Sequence, residues 1–194
     1  YDQNNKLVRK ITTDPDNSFI SYNGGPSREP VLSNKIGLNR FVWDSRHSSL
    51  SGVPYAYIEG SFRGHKAIPG KYTLTLEVGE TPYNSEFEIL KNPNFSVSDE
   101  DYLDLDKYAT HMENNFNEMA KYINSNKELM DKLGVLVKEL DENPGVKENG
   151  KKLLELMDNW DKKMMQRMSK AYDDVENFPN KFLADYLFIL DEIK

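Results

Sequence analysis

The sequence contains no cysteine, which excludes disulfide bonds and metal sites built from thiolates. Long hydrophobic runs are also missing. The longest nearly apolar stretch, from Phe182 to Leu190, is interrupted by Asp185 and is much shorter than the roughly 20 apolar residues that cross a bilayer. With 38% hydrophobic and 29% charged residues among 194, the composition is typical of a globular protein of one or two domains. Because the chain begins at Tyr1 without Met or a signal peptide, we expect a fragment of a longer protein.

An excess of basic residues is absent as well. Residues 1–97 contain 11 Lys and Arg against 10 Asp and Glu, whereas residues 98–194 contain 14 against 22, so the net charges are +1 and −8. Nucleic-acid binding needs a clustered basic surface. The charge pattern therefore argues against nucleic acid as a partner and favours a solvated, acidic helical surface in the second half.

Motifs that carry chemistry are not recognisable. The three histidines, His47, His65 and His111, are far apart in the sequence and form no pair at the spacing of a helical zinc or di-iron site. The acidic run from Asp99 to Asp106 lacks the glycine and the terminal glutamate of an EF-hand loop. Four glutamates of the first half are candidates for a glycosidase carboxylate pair, but most point outward on predicted strands: Glu59, Glu77, Glu86 and Glu88. We therefore predict no catalytic residue, no cofactor and no metal.

The first half alternates like a small β protein. Lys71–Val78 is the clearest strand, Tyr83–Leu90 is its hairpin partner, Lys6–Thr12 is a short edge strand and Lys35–Asp44 is a central strand, while 55–62 fits either a strand or an ordered loop. Turn clusters separate these segments. We therefore predict an Ig- or fibronectin type III-like antiparallel β-sandwich over residues 1–94, with Trp43 as an anchor of its core.

The second half has helical periodicity. Ser98 and Asp101 form the sequence pattern of a capping box, and an apolar seam with steps of three and four residues then runs from Tyr102 to Leu140. The pattern predicts a helix of about 40 residues, a second helix over about 146–174 and a third after Pro179. The chain is thus predicted to be α+β with two domains, the second an antiparallel three-helix bundle over 95–194. The length of the first helix, with Asn126 in its seam, leaves open an oligomer formed through it.

Three segments carry a resemblance to a known family. GLNRFVWDSR (37–46), GVPYAYIEGSFRG (52–64) and IPGKYTLTLEVG (68–79) resemble the region after the β-propeller in sortilin-type, BNR-repeat proteins described as glycosyl hydrolases. The resemblance extends over most of the chain from Lys35, although Ser45 replaces the usual Leu and the helical seams are rich in Met. The Trp-Asp and Pro-Gly-x-Tyr pairing also occurs in Ig-like modules of flagellar hook-capping proteins. The matched positions are structural in the family: Asn39, Arg40, Trp43, Asp44, Arg46, Pro69, Gly70 and Tyr72.

The resemblance implies a non-catalytic C-terminal accessory or scaffolding module of a secreted or periplasmic bacterial protein. Its partner would be the upstream β-propeller of the same polypeptide, where any hydrolase chemistry would reside. The alternative is a stand-alone module that binds carbohydrate or protein, or that assembles with itself. Aromatic side chains in loops stack on sugars but also close the end of a sandwich. The candidates for ligand contact are Tyr55, Tyr57, Phe62 and Tyr83.

Overall fold

A computed structural model describes the backbone of residues 1–194 and every side chain except that of Val175. The elements in chain order are β1 Gly70–Val78, β2 Thr81–Ile89, α1 Asp99–Glu139, α2 Pro144–Met164 and α3 Phe182–Asp191, with a 3-10 helix at Tyr172–Glu176 before α3. The chain is therefore an α+β protein with one small sheet. Among the described residues, no helix is both long and apolar enough to cross a membrane.

The sheet is a single antiparallel hairpin, so the prediction of an Ig- or fibronectin type III-like β-sandwich is wrong. In its register Tyr72 pairs with Phe87 and Leu76 with Tyr83. Alternation places the apolar side chains of both strands on one face. Near the base of the hairpin this face is covered, because Tyr72 is buried and the Trp43 ring meets it edge to face at 6.2 Å.

The predicted central strand, Lys35–Asp44, is an irregular segment without ladder pairing. Two local features compete with a strand. Gly37 has φ 109°, and the side-chain amide of Asn39 donates hydrogen bonds to the backbone oxygens of Lys35 at 2.8 Å and Gly37 at 3.2 Å. A side chain that satisfies nearby carbonyls offers the backbone an alternative to the sheet. The predicted edge strand, Lys6–Thr12, is likewise irregular.

The three predicted helices are present. The capping box of α1 is formed, with Ser98 Oγ accepting from the Asp101 backbone at 3.1 Å and Asp101 Oδ2 accepting from the Ser98 backbone at 3.1 Å. However, α2 ends ten residues earlier than predicted, at Met164. The Arg167 guanidinium turns back onto the nearly buried Asp161 carboxylate, with distances of 2.6 and 2.7 Å. This bidentate pair requires the chain to leave the helix.

The main hydrophobic core lies between the helices and an irregular segment of the first half. Phe116 and Ile123 of α1 pack with the buried leucines of α3, and the covering segment is 50–62. That segment contributes Leu50, Val53, Ala56, Ile58 and Phe62. A smaller cluster at the base of the hairpin contains Val8, Ala67 and Tyr72, with Trp43 and Ile89 packed against it. The main core thus draws on both sides of residue 94.

Candidate functional site

An irregular antiparallel pairing of segments 45–50 and 62–67 brings two histidines together. The backbone N–H of His47 donates to the carbonyl of His65 at 3.0 Å, and their rings stack with centroids 3.8 Å apart. Gly64 permits this approach, because a Cβ at that position would lie 2.6 Å from the His47 carbonyl oxygen. The two histidines are 18 positions apart in the sequence, so no local spacing pattern predicts that they form a pair.

Helix α1 supplies two carboxylates to the same place. Asp106 and Glu113 are seven residues apart and therefore lie on one face of the helix. Glu113 Oε1 accepts from the backbone N–H of His65 at 2.6 Å, and its Oε2 lies 2.9 Å from Nδ1 of the same ring. Asp106 Oδ1 lies 3.1 Å from His65 Nε2 and 3.5 Å from His47 Nε2. These four side chains are called the histidine–carboxylate cluster below.

The cluster holds a buried charge. Burial of the His65 ring would by itself lower its pKa, but the hydrogen bonds and charges of Asp106 and Glu113 raise that pKa to about 9. Hydrogen bonds from His47 and then His65 lower the pKa of Asp106 far below its usual range. In this state both ring nitrogens of His65 donate, one to each carboxylate.

A cavity of about 270 Å³ opens next to the cluster, and His47 forms part of its wall. Four arginines share the lining: Arg9, Arg28, Arg46 and Arg63. Asp44 is the acidic residue of the lining; it binds Arg9 at 2.8 Å and Arg63 at 2.9 Å. Arg9 also pairs with Glu29 at 2.5 Å. Four guanidinium groups against two carboxylates leave this region positively charged in a protein whose net charge is −7.

Arg9 is the most buried of the side chains that form these ion pairs. Only 10% of it is exposed, and its Nε has no hydrogen-bond partner among the described side chains and backbone. Burial tends to raise the pKa of Glu29 and of Asp44, but hydrogen bonds and the neighbouring guanidinium groups outweigh it and lower both. Both carboxylates are therefore charged at neutral pH, and the arginine network is intact there.

The aromatic residues predicted for ligand contact lie in different surroundings. Phe62 is buried in the main core, with its ring edge to face with Phe116 at 6.0 Å. Tyr55 is exposed in a loop with φ 64°, and Tyr83 is exposed on β2. Tyr57 is partly exposed, and its ring lies against Gly24.

Trp43 and Tyr72, two residues of the motifs that carry the resemblance, meet at the base of the hairpin. Trp43 Nε1 donates to the Arg46 carbonyl at 2.9 Å, and the Arg46 guanidinium donates to the Gly64 carbonyl at 2.8 Å. Gly70, after Pro69, begins β1 with φ 150°. Arg40 is exposed. Trp43 and Arg46 thus help to position the loop that carries His47.

One sequence signal could have indicated the cluster. The most buried positions of α1 follow steps of three and four residues: Ala109, Glu113, Phe116, Ala120 and Ile123. Asp106 precedes this series by three residues. A carboxylate inside a buried seam requires a partner, and that requirement singles out Glu113. The identity of the partner, however, depends on a contact across 48 residues of chain.

Comparison of the chain with protein-family models, curated proteins and solved structures finds no match.

Proposed function

We propose that the chain is a non-catalytic accessory module that docks onto a β-propeller domain of the same, secreted or periplasmic, glycosyl-hydrolase-like polypeptide. The observation that carries this proposal is the uncovered apolar face of the hairpin. Leu74, Leu76 and Val78 are 59%, 48% and 60% exposed. Tyr83 lies opposite Leu76 on the same face and is also exposed.

An uncovered face of this kind favours a partner. A two-stranded hairpin is marginally stable in water by itself, and burying one aliphatic side chain contributes about 1.5–3 kcal/mol. Strands of an antiparallel sheet usually alternate between a covered apolar face and a solvated polar face. The opposite face carries Thr75, Glu77 and Glu86, so the strands have the pattern of a half-buried sheet without the second layer.

The resemblance to the region after the propeller of sortilin-type proteins supports the identity of the partner. Trp43 and Tyr72, two residues of the shared motifs, build the covered base of the hairpin. The apolar face continues from that base towards the turn at Gly79. The module would therefore present this face to a neighbouring domain.

Binding in trans tests the proposal. Calorimetric titration of the chain into a separately produced propeller of this family is expected to show binding, and Leu74→Ser with Leu76→Ser is expected to weaken it at least tenfold. The matched control, Glu77→Ser with Glu86→Ser, places the same residues on the opposite face and leaves affinity unchanged. Equal effects of both double variants, or glycoside hydrolysis by the purified chain that a point mutation within it abolishes, would overturn the proposal.

The arginine-lined cavity favours a second candidate function, binding of a small anionic ligand such as an acidic sugar. The supporting observation is that four arginines line this cavity, whereas Asp44 is the one acidic residue among its described lining residues. Guanidinium groups match carboxylates bidentately. Titration with glucuronate is expected to show saturable binding that Arg63→Gln weakens, while Arg40→Gln outside the cavity has no effect. Glucose binding as tightly as glucuronate would contradict a role for the charge.

A further inference from the structure

The histidine–carboxylate cluster has the composition of a metal site. One ring nitrogen of His47, one of His65 and one oxygen of Asp106 lie within 4.8 Å of one another. Two imidazoles and one carboxylate are typical ligands of zinc and related divalent transition metals. No pair of these residues is close in the sequence, so only the fold reveals the set.

The distances suit a tetrahedral ion. Bonds of about 2.0–2.1 Å at tetrahedral angles place neighbouring ligand atoms roughly 3.3 Å apart. Asp106 Oδ1 lies 3.1 Å from His65 Nε2 and 3.5 Å from His47 Nε2. The two rings are stacked at an angle of 19°, so the His47 ring must turn to direct its lone pair at a shared ion. The His65 ring is held in place by its other nitrogen.

Glu113 occupies the supporting position that metal sites commonly contain. A metal-binding histidine usually donates its second ring N–H to a carboxylate, which fixes the tautomer and the ring orientation. Glu113 is buried and accepts from both the Nδ1 and the backbone N–H of His65. In the metal-free chain Nε2 of His65 donates to Asp106. A bound ion would displace that proton, and Nε2 would then face the ion together with the other two ligands.

The cluster is accessible from one side. The side chains of His47 and Asp106 are 13% and 22% exposed, whereas that of His65 is 3% exposed. His47 also forms part of the arginine-lined cavity. An ion can therefore enter past His47, and a water or an anion in the cavity can complete its coordination, as in zinc sites with three protein ligands.

We propose that His47, His65 and Asp106 bind one divalent transition-metal ion of the zinc type, with Glu113 orienting His65. The site is independent of the docking face proposed above, but it shares the wall residue His47 with the arginine-lined cavity.

Calorimetric titration of the chelator-treated full chain with Zn²⁺ tests the proposal, and Co²⁺ absorption reports the coordination geometry. We expect one ion per chain and the visible spectrum of a four-coordinate site. His47→Ala is expected to weaken binding at least tenfold, as is Glu113→Gln, in line with the 10–100-fold effects of removing supporting carboxylates. His111→Ala, an exposed histidine on the same helix, is the matched control and is expected to leave affinity unchanged.

Partly exposed His47 is the informative position, because its replacement leaves the buried His65–Glu113 pair in place. Circular dichroism of this variant verifies that the helices persist. Absence of Zn²⁺ binding in the wild-type chain, or equal affinity of wild type and His47→Ala, would overturn the proposal. A six-coordinate Co²⁺ spectrum that does not change with His47→Ala would overturn it too.

Discussion

The buried ring of His65 lies between the carboxylates of Asp106 and Glu113, one at each ring nitrogen. Burying a charge is costly unless it is paired and hydrogen-bonded, and this ring meets both conditions at both nitrogens. Removal of one partner would leave an uncompensated buried charge. The contacts of His65 with Asp106 and Glu113 also join the loops of the first half to α1. They therefore stabilise the fold as well as the local site.

This arrangement predicts a loss of stability at alkaline pH for the metal-free chain. The pKa of His65 is raised from 6.5 to about 9 on folding, so its contribution is fully present below about pH 6.5 and is lost as pH rises through 9. The free energy of unfolding is expected to fall by up to about 3 kcal/mol over that range. Urea unfolding with a chelator present measures it.

His65→Gln is the control, and its stability is expected to be nearly flat between those two pH values. An equal alkaline loss in wild type and variant would contradict the assignment. At acid pH, by contrast, the free energy of unfolding falls as the pH decreases. The lowered pKa of Asp106 contributes stability that is present above its unfolded value of 3.8 and is lost as the pH falls below that value.

At the scale of elements, local patterns predicted what depends on local physics. The start of α1 follows from Ser98 and Asp101, whose side chains satisfy backbone donors within four residues. The hairpin follows from alternation in Lys71–Val78 and from the turn at Gly79. The end of α2 was missed because it depends on the Asp161–Arg167 pair. The apolar periodicity continues past Met164 and gives no indication of that pair.

The cap of α1 gives a prediction at this scale. Ser98→Ala removes the oxygen that accepts from the Asp101 backbone, and the free energy of unfolding is expected to fall by about 1 kcal/mol. Ser98→Asp keeps an acceptor and is expected to retain most of the stability. The matched control is Ser125→Ala, at an exposed position in the middle of α1, which is expected to be neutral or slightly stabilising. Equal losses at both serines in urea unfolding would contradict the role of the cap.

At the scale of the whole molecule, sequence periodicity does not specify which faces meet. The patterns of the first half predict several strands, and strands of this kind would pack against each other as a sandwich. Instead, segment 50–62 covers α1 and α3 with irregular backbone. The site was missed for the same reason, because His47, His65 and Asp106 come from three separate stretches of chain. Contacts over such separations leave no period to detect.

Because His65 contacts α1 and lies two residues from Ala67 of the smaller cluster, we predict that the hairpin base and the helices unfold together. Phe116 is fully buried, packs edge to face against Phe62 and lies on α1 one turn beyond Glu113, which binds His65. Phe116→Ala is expected to cost about 3–5 kcal/mol and to move the urea midpoint measured by helical circular dichroism together with that of the Trp43 indole NMR signal.

Phe188→Ala is the matched control, since Phe188 is 62% exposed on α3 and exposed substitutions usually change stability by no more than about 0.5 kcal/mol. A Trp43 transition that stays in place while the helical one moves would show that the hairpin base unfolds independently of the main core. In that case the cluster of Val8, Ala67 and Tyr72 would by itself stabilise the hairpin base. A joint shift would show that the two clusters unfold together, as expected from the contacts of His65 with Asp106 and Glu113 of α1.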